Sequence, residues 1–284
     1  MEVKKIAVVG AGAMGSGITQ VAACSGFQVA LVDLEKEILD RGLAKIRHGL
    51  ERGVSSGKVA QKLADDALAR ISVTTSMIEA CRDADFVIES VSENLDLKKR
   101  VFAAVDQIAP REAILASNTS QLSVTAMASA TGRPDKVIGM HWFNPPPIMR
   151  LIEIARTTVT SDETVAVTRA VAERVGKTVV VCRDVQGFIT SRALGAHLIE
   201  CMRILEEGVA TPKEVDTAIK LGLGYPMGPF ELSDYVGLDV IYHSARGLAE
   251  AFGDRFRPPQ VLVKLIEAGH LGVKTGRGFY PHGE

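Results

Sequence analysis

Between Ile6 and Val32 the chain carries no charged residue; Lys4 and Lys5 precede the stretch and Asp33 closes it. A run of this length belongs inside a protein core or inside a membrane. Gly10, Gly12, Gly15, Gly17 and Gly26 interrupt it, and Ser16, Thr19, Gln20 and Ser25 add polar atoms. A membrane helix or the apolar region of a secretory signal is more continuous than this. Val21-Ala22-Ala23-Cys24 resembles a lipoprotein cleavage box, but the glycines weigh against export. The stretch divides better into three parts. Lys5 to Val9 reads as a buried strand, and a glycine turn follows. Met14, Ile18, Val21 and Ala22 then recur at helical spacing, and Phe27 to Val32 is a second buried strand. That is one strand–helix–strand unit.

The turn reads Gly10-Ala11-Gly12-Ala13-Met14-Gly15, the pattern Gly-x-Gly-x-x-Gly. Its first glycine permits a tight turn, the second lets a pyrophosphate approach the backbone, and the third lets helix and strand pack closely. The helix start, with Met14 in its first turn, offers N–H groups and a partial positive charge to phosphate. Asp33 ends the next strand at about the twenty-residue spacing expected of a ribose-binding carboxylate. A carboxylate accepts ribose hydroxyls and repels a 2′-phosphate, and Leu34 rather than an arginine follows it. The expected cofactor is therefore NAD rather than NADP.

Strand-like runs recur at 71–74, 85–89, 113–116, 136–141, 151–154 and 178–181, with helical patterns between most of them. This alternation predicts an α/β fold with a largely parallel, Rossmann-type sheet. After about residue 185 the texture changes. Residues 187–207 read as a long helix, and Thr211-Pro212, Gly228-Pro229 and Pro258-Pro259 mark further helix starts. The expected organisation is a cofactor domain, 1–185, followed by an all-helical domain, 186–284.

Composition excludes several functions. Lys plus Arg is 33 and Asp plus Glu is 34, a net charge of −1, which speaks against a generally basic nucleic-acid or membrane-surface binder. Cys24, Cys81, Cys182 and Cys201 form no Cys-x-x-Cys pair, so neither a metal cage nor a disulfide framework is expected. They read as isolated buried thiols of a cytoplasmic protein.

A second group of residues carries chemistry. Ser117-Asn118-Thr119-Ser120 follows one predicted strand and His141 ends another, and open α/β sheets bind ligands at such carboxyl ends. An imidazole can accept and return a proton near neutrality. Glu153 lies in Leu151-Ile152-Glu153-Ile154-Ala155, where an unpaired buried carboxylate would be costly; pairing with an imidazole N–H would solve that and orient the base. From spacing alone the plainer alternatives stay open. A lone strand-end His is more often structural, a Glu in an antiparallel strand often faces water, and Ser and Asn commonly form turns.

Taken together, these residues resemble the L-3-hydroxyacyl-CoA dehydrogenase family, close to its short-chain 3-hydroxybutyryl-CoA members. The matching runs are Gly-Ala-Gly-Ala-Met-Gly-Ser-Gly-Ile from Gly10, Glu-Asn-Leu-Asp-Leu-Lys-Lys from Glu93 and Ala-Ser-Asn-Thr-Ser from Ala116. His-Trp-Phe-Asn-Pro from His141, Tyr-Pro-Met-Gly-Pro-Phe-Glu-Leu from Tyr225 and Lys-Thr-Gly-Arg-Gly-Phe-Tyr from Lys274 complete the set. The resemblance implies reversible NAD-dependent oxidation of an (S)-3-hydroxyacyl-CoA to the 3-ketoacyl-CoA. It implies His141 as the base, Glu153 as its partner and Ser120 on the substrate's C3 oxygen. It puts Glu93, Lys98, Asn144 and Lys274 on the cofactor side with Asp33 and Ser120. It also implies a homodimer formed through the helical domain.

Two positions depart from the family pattern. Ser191 stands where the family usually has an asparagine that takes part in the site, so a shorter hydroxyl replaces an amide. Trp142-Phe143 replaces the usual Phe-Phe pair. In addition, Arg41, Lys45, Arg47, Arg52, Lys58 and Lys62 face Glu51 alone, a basic segment where the family's helical hairpin touches coenzyme A. Lys58 is the best single candidate for that contact. Two alternatives remain: a related NAD dehydrogenase of a free hydroxy or sugar acid, and a non-catalytic NAD-binding protein.

Overall fold

The computed structural model describes residues 1–283. The chain divides into two compact units, one ending at Val185 and one beginning at Gln186.

The first unit is built on an eight-stranded sheet in the order β3-β2-β1-β4-β5-β6-β7-β8. The strands are β1 (Lys5–Val9), β2 (Gln28–Val32), β3 (Ile71–Thr74), β4 (Phe86–Glu89), β5 (Ile114–Ser117), β6 (Val137–Trp142), β7 (Leu151–Arg156) and β8 (Thr178–Arg183). All neighbouring pairs are parallel except β6 with β7. Most strand limits lie within one or two residues of the sequence expectation. Chain order reverses between β1 and β4, which makes a crevice at their carboxyl ends. The charge-free stretch becomes β1, the helix α1 (Ala13–Cys24) and β2. Ile6, Ala7 and Val8 have no exposed surface because helices cover both faces of the sheet, as uninterrupted apolar strands require. Six further helices complete the unit: α2 (Lys36–Ser55), α3 (Gln61–Ala69), α4 (Met77–Cys81), α5 (Leu95–Ile108), α6 (Val124–Ala128) and α7 (Asp162–Arg174).

The second unit holds α8 (Thr190–Glu206), α9 (Pro212–Leu223), α10 (Pro229–Val236), α11 (Leu238–Phe252) and α12 (Gln260–Glu267). Leu198, Met202, Phe230, Leu238 and Leu262 form its main core. The long helix expected from Gly187 begins three residues later, because Gly187 and Phe188 both take positive φ. The helix that starts at Pro229 ends at Val236 and another follows from Leu238, since Gly237 at φ 106° breaks the chain between them. Thr211 caps α9 in a reciprocal box with Glu214, and Pro212 opens the helix.

Two of the recognised motifs are welded together here. Buried Asp216 accepts from Phe230 N, Glu231 N and the Tyr280 hydroxyl. Buried Asp234 accepts from Phe279 N and Tyr280 N and contacts His282 Nε2 at 2.7 Å. The run Gly-Arg-Gly-Phe-Tyr is thus a structural latch on α9 and α10. No helix among the described residues is long and apolar enough to cross a membrane.

Candidate active site

The turn between β1 and α1 is shaped as a cradle. Gly10 sits at φ 103°, and a Cβ there would lie 2.6 Å from the Ser90 carbonyl oxygen. A Cβ on Gly15 would lie 1.8 Å from the Gly10 oxygen, so helix and strand touch backbone to backbone. Gly12 is different: among the described residues nothing lies within 4 Å of its would-be Cβ, although it caps a helix that has no side-chain cap. An open glycine at an uncapped helix start is what a pyrophosphate needs. Asp33 Oδ2 accepts from Ala11 N at 2.7 Å, which fixes the carboxylate beside the turn. Gly10, Gly12, Asp33, Ile38, Ser90 and Leu97 are among the residues lining a cleft of about 360 Å³. The residues present therefore fit a dinucleotide. Met14 is half-buried on the first turn of α1.

Across the crevice, the ends of β4 and β5 carry a polar network. Glu89, the last residue of β4, is buried and accepts from Val91 N (2.7 Å), Lys98 Nζ (2.7 Å) and Ser117 Oγ (2.6 Å). Lys98 Nζ also lies 3.3 Å from Glu93 Oε2. Glu93 Oε1 in turn accepts from Thr119 Oγ1 (2.6 Å), Ser120 N (3.1 Å) and Ser120 Oγ (3.4 Å). Asn118 accepts from Trp142 N at 2.9 Å and donates to Ser90 Oγ at 3.1 Å, tying the ends of β4, β5 and β6 together.

β6 and β7 supply the third part. Their antiparallel register sets His141 opposite Glu153, and Nδ1 lies 2.8 Å from Oε2. Glu153 is 1% exposed and His141 7%. The Phe143 ring leans on the imidazole with centroids 4.4 Å apart. The loop after β6 is held from below by Lys177, whose buried ammonium donates to the Pro146 and Met149 carbonyls at 2.6 Å each. Burial pulls this lysine below the ordinary lysine range. Trp142 is buried, and its indole Nε1 has no hydrogen-bond partner among the described residues.

The expected site residues separate into groups. His141, Glu153, Ser120, Glu93, Gly10, Gly12, Gly15, Met14 and Asp33 all lie in the first unit on or next to the carboxyl ends of strands. Asn144 is exposed on the loop after β6. Lys98, on the cofactor side by the resemblance, has no exposed surface and pairs with Glu89 and Glu93. Lys58 is exposed in the turn between α2 and α3, and the other five bases of that segment are exposed as well. Ser191 and Lys274 belong to the second unit. Ser191 is partly buried in the first turn of α8, and Lys274 is ion-paired with Asp239.

Glu89 and Lys177 were not singled out from sequence, and Asn118 and Thr119 only as part of the run Ser117–Ser120. Glu89 carried a usable signal, a carboxylate closing the apolar run Phe86-Val87-Ile88. Of the thiols, Cys81 and Cys201 are buried while Cys24 and Cys182 are partly so. Burial raises all four, Cys81 to about 12, so none is poised as a nucleophile.

Residues 5–185 match the family described as "3-hydroxyacyl-CoA dehydrogenase, NAD binding domain", and residues 187–282 match "3-hydroxyacyl-CoA dehydrogenase, C-terminal domain". The chain is 43% identical over 285 residues to the probable 3-hydroxybutyryl-CoA dehydrogenase of Bacillus subtilis (strain 168), covering 100% of this chain and 99% of that one. It is 41% identical over 283 residues to the 3-hydroxybutyryl-CoA dehydrogenase of Mycobacterium tuberculosis (strain ATCC 25618 / H37Rv), covering 99% of each. The crystal structure of (S)-3-hydroxybutyryl-CoA dehydrogenase from Ralstonia eutropha superposes with a TM-score of 0.96 at 38% identity, covering 100% of both chains. The chain belongs to the 3-hydroxyacyl-CoA dehydrogenase family of NAD-dependent oxidoreductases.

Proposed function

We propose that the protein reversibly oxidises a short-chain (S)-3-hydroxyacyl-CoA, such as 3-hydroxybutanoyl-CoA, to the 3-ketoacyl-CoA with NAD. The observation that carries this reading is the buried His141–Glu153 pair at the carboxyl end of β6, in the same unit as the Gly10–Gly15 cradle and Asp33.

In this reading Glu153 accepts a hydrogen bond from the Nδ1–H of His141, so Nε2 carries the lone pair that accepts a proton from the substrate hydroxyl. As that proton arrives the imidazole becomes cationic, and the adjacent carboxylate stabilises it. Ser120 donates to the C3 oxygen and holds it near the base. NAD, when bound, supplies the hydride acceptor. Asp33 would accept ribose hydroxyls, and the start of α1 would receive the pyrophosphate. Glu93, Asn144 and Lys274 are further cofactor contacts in this proposal; Lys98 acts through Glu93. Lys58 and its basic neighbours are offered to the phosphates of coenzyme A, and Ser191 to the substrate. The helical unit is the proposed homodimer surface, supported by exposed Leu221, Leu223, Tyr235 and Val240. The proposed compartment is the cytoplasm.

Loss of NADH absorbance with acetoacetyl-CoA tests the reading. Turnover is expected, with His141→Ala abolishing it. NAD binding without turnover of any 3-ketoacyl-CoA would favour a non-catalytic protein, and turnover restricted to free keto acids would favour the sugar-acid alternative.

A further inference from the structure

Glu89 and Glu93 share one ammonium. Lys98 is the one cation paired with either of them among the described residues. The other groups on the pair are neutral donors: Val91 N and Ser117 Oγ on Glu89, and Thr119 Oγ1, Ser120 N and Ser120 Oγ on Glu93. These satisfy the oxygens without cancelling charge. Two carboxylates and one ammonium leave the cluster one negative charge in excess. Glu89 and Lys98 are sealed from water, whereas the Glu93 side chain is 34% exposed, so the excess is presented at Glu93.

The location gives this charge a consequence. Glu89 is in register with Val9 at the end of β1 and with Ser117 at the end of β5. It therefore flanks the point where strand order reverses. Asp33, at the end of β2, marks the adenosine side of a dinucleotide whose pyrophosphate lies on the glycine turn. The other half of such a ligand crosses to the β4–β5 side. On accepting hydride, a nicotinamide ring changes from cationic to neutral. A fixed negative charge in a partly water-excluded crevice acts on the first form and hardly on the second.

We propose that Glu89 is a positioning residue that holds Lys98 and Glu93 so that the crevice carries one excess negative charge, and that this charge discriminates oxidised from reduced cofactor. The proposal rests on the NAD reading above. It makes Glu89 a determinant of the NAD⁺/NADH affinity ratio although its buried carboxylate acts through its neighbours.

Calorimetric titration of NAD⁺ and NADH into the wild type and into Glu89→Gln tests it. Glutamine keeps the shape and one acceptor oxygen for Val91 N and Lys98 Nζ, and its amide N–H can donate to Ser117 Oγ, while the charge is removed. The expected result is that NAD⁺ affinity falls about tenfold more than NADH affinity, equivalent to about 1.4 kcal/mol of discrimination. Ser117→Ala removes a hydrogen bond on Glu89 without altering charge, and is expected to leave the ratio unchanged. Should Glu89→Gln fail to fold, Glu93→Gln deletes the same charge at the exposed end and must shift the ratio in the same direction. Equal factors for the two cofactors in the folded charge variant would overturn the proposal while leaving NAD binding intact. A wild type that binds neither cofactor would overturn the NAD reading and this inference with it.

Discussion

Glu153 stands directly opposite His141 across the antiparallel β6–β7 ladder, and its Oε2 lies 2.8 Å from the imidazole Nδ1. Direct cross-strand neighbours have Cβ atoms about 5 Å apart, close enough for an imidazole and a carboxylate to meet without help from a loop. The pair is therefore as rigid as the sheet. A one-residue slip of β7 would turn Glu153 to the opposite face.

Glu153→Gln preserves the shape of the partner and removes its charge. We expect kcat for acetoacetyl-CoA reduction to fall about 10²- to 10⁴-fold, by analogy with other carboxylate-oriented histidines. Cofactor affinity should change little. Steady-state kinetics beside a thermal melt would check this; an unchanged kcat in a folded variant would remove Glu153 from the mechanism.

The glycine turn predicts opposite outcomes at two positions. Gly15→Ala forces a Cβ to within 1.8 Å of the Gly10 oxygen, so the helix must move and stability should fall by about 3 kcal/mol. Gly12→Ala meets nothing within 4 Å among the described residues, so its melting temperature should stay near the wild type. Its methyl would nevertheless occupy the space offered to a pyrophosphate, and NAD affinity should fall at least about tenfold. Melting curves and NAD titrations on both variants separate folding from binding.

Acid stability should depend on Asp106. Burial by itself would raise this carboxyl, but the Gly132 N–H and the Arg133 guanidinium outweigh it and hold Asp106 below the ordinary carboxylate range. A depressed folded value contributes stability above the unfolded value, about 3.9, and that contribution is lost as pH falls through the folded value. Arg133 Nε reaches Asp106 Oδ1 at 2.7 Å, and its other nitrogens reach the Asp106, Ala109 and Pro110 carbonyls. Asp106→Asn should cost about 3 kcal/mol at pH 7. Urea unfolding from pH 7 downwards should show the two proteins converging in acid; a constant gap would contradict the assignment.

Ser191→Asn restores the amide usual in the family. One added hydrogen bond is worth about 1 kcal/mol, or about fivefold in kcat/KM for acetoacetyl-CoA. Unaltered substrate kinetics would place Ser191 outside the site.

Much of the site was legible because its signals are local. Gly10, Gly12, Gly15 and Asp33 act through turn geometry and helix ends, which depend on neighbours along the chain. Glu153 was legible for an energetic reason, since a carboxylate within an apolar strand demands a partner. The same reasoning applies to Glu89, yet a carboxylate at the last position of a strand either faces water or is covered. Lys98, packing down from α5, covers it. The resemblance puts Lys98 on the cofactor side, and its burial against Glu89 and Glu93 is visible only in the folded chain. The helix start at Pro229 was legible, but the break at Gly237, with φ 106°, is seen only in the folded chain.

By itself the sequence determined the β1–α1–β2 unit, the glycine turn that fits a dinucleotide and the change from α/β to helical texture. Each follows from periodicity, turn chemistry or charge within a short window. The tertiary structure alone decided which carboxylates are buried, that one ammonium serves two of them, and that the Gly-Arg-Gly-Phe-Tyr run is a latch on Asp216 and Asp234. Those outcomes depend on which distant segments come together to exclude water, and only the folded chain specifies that.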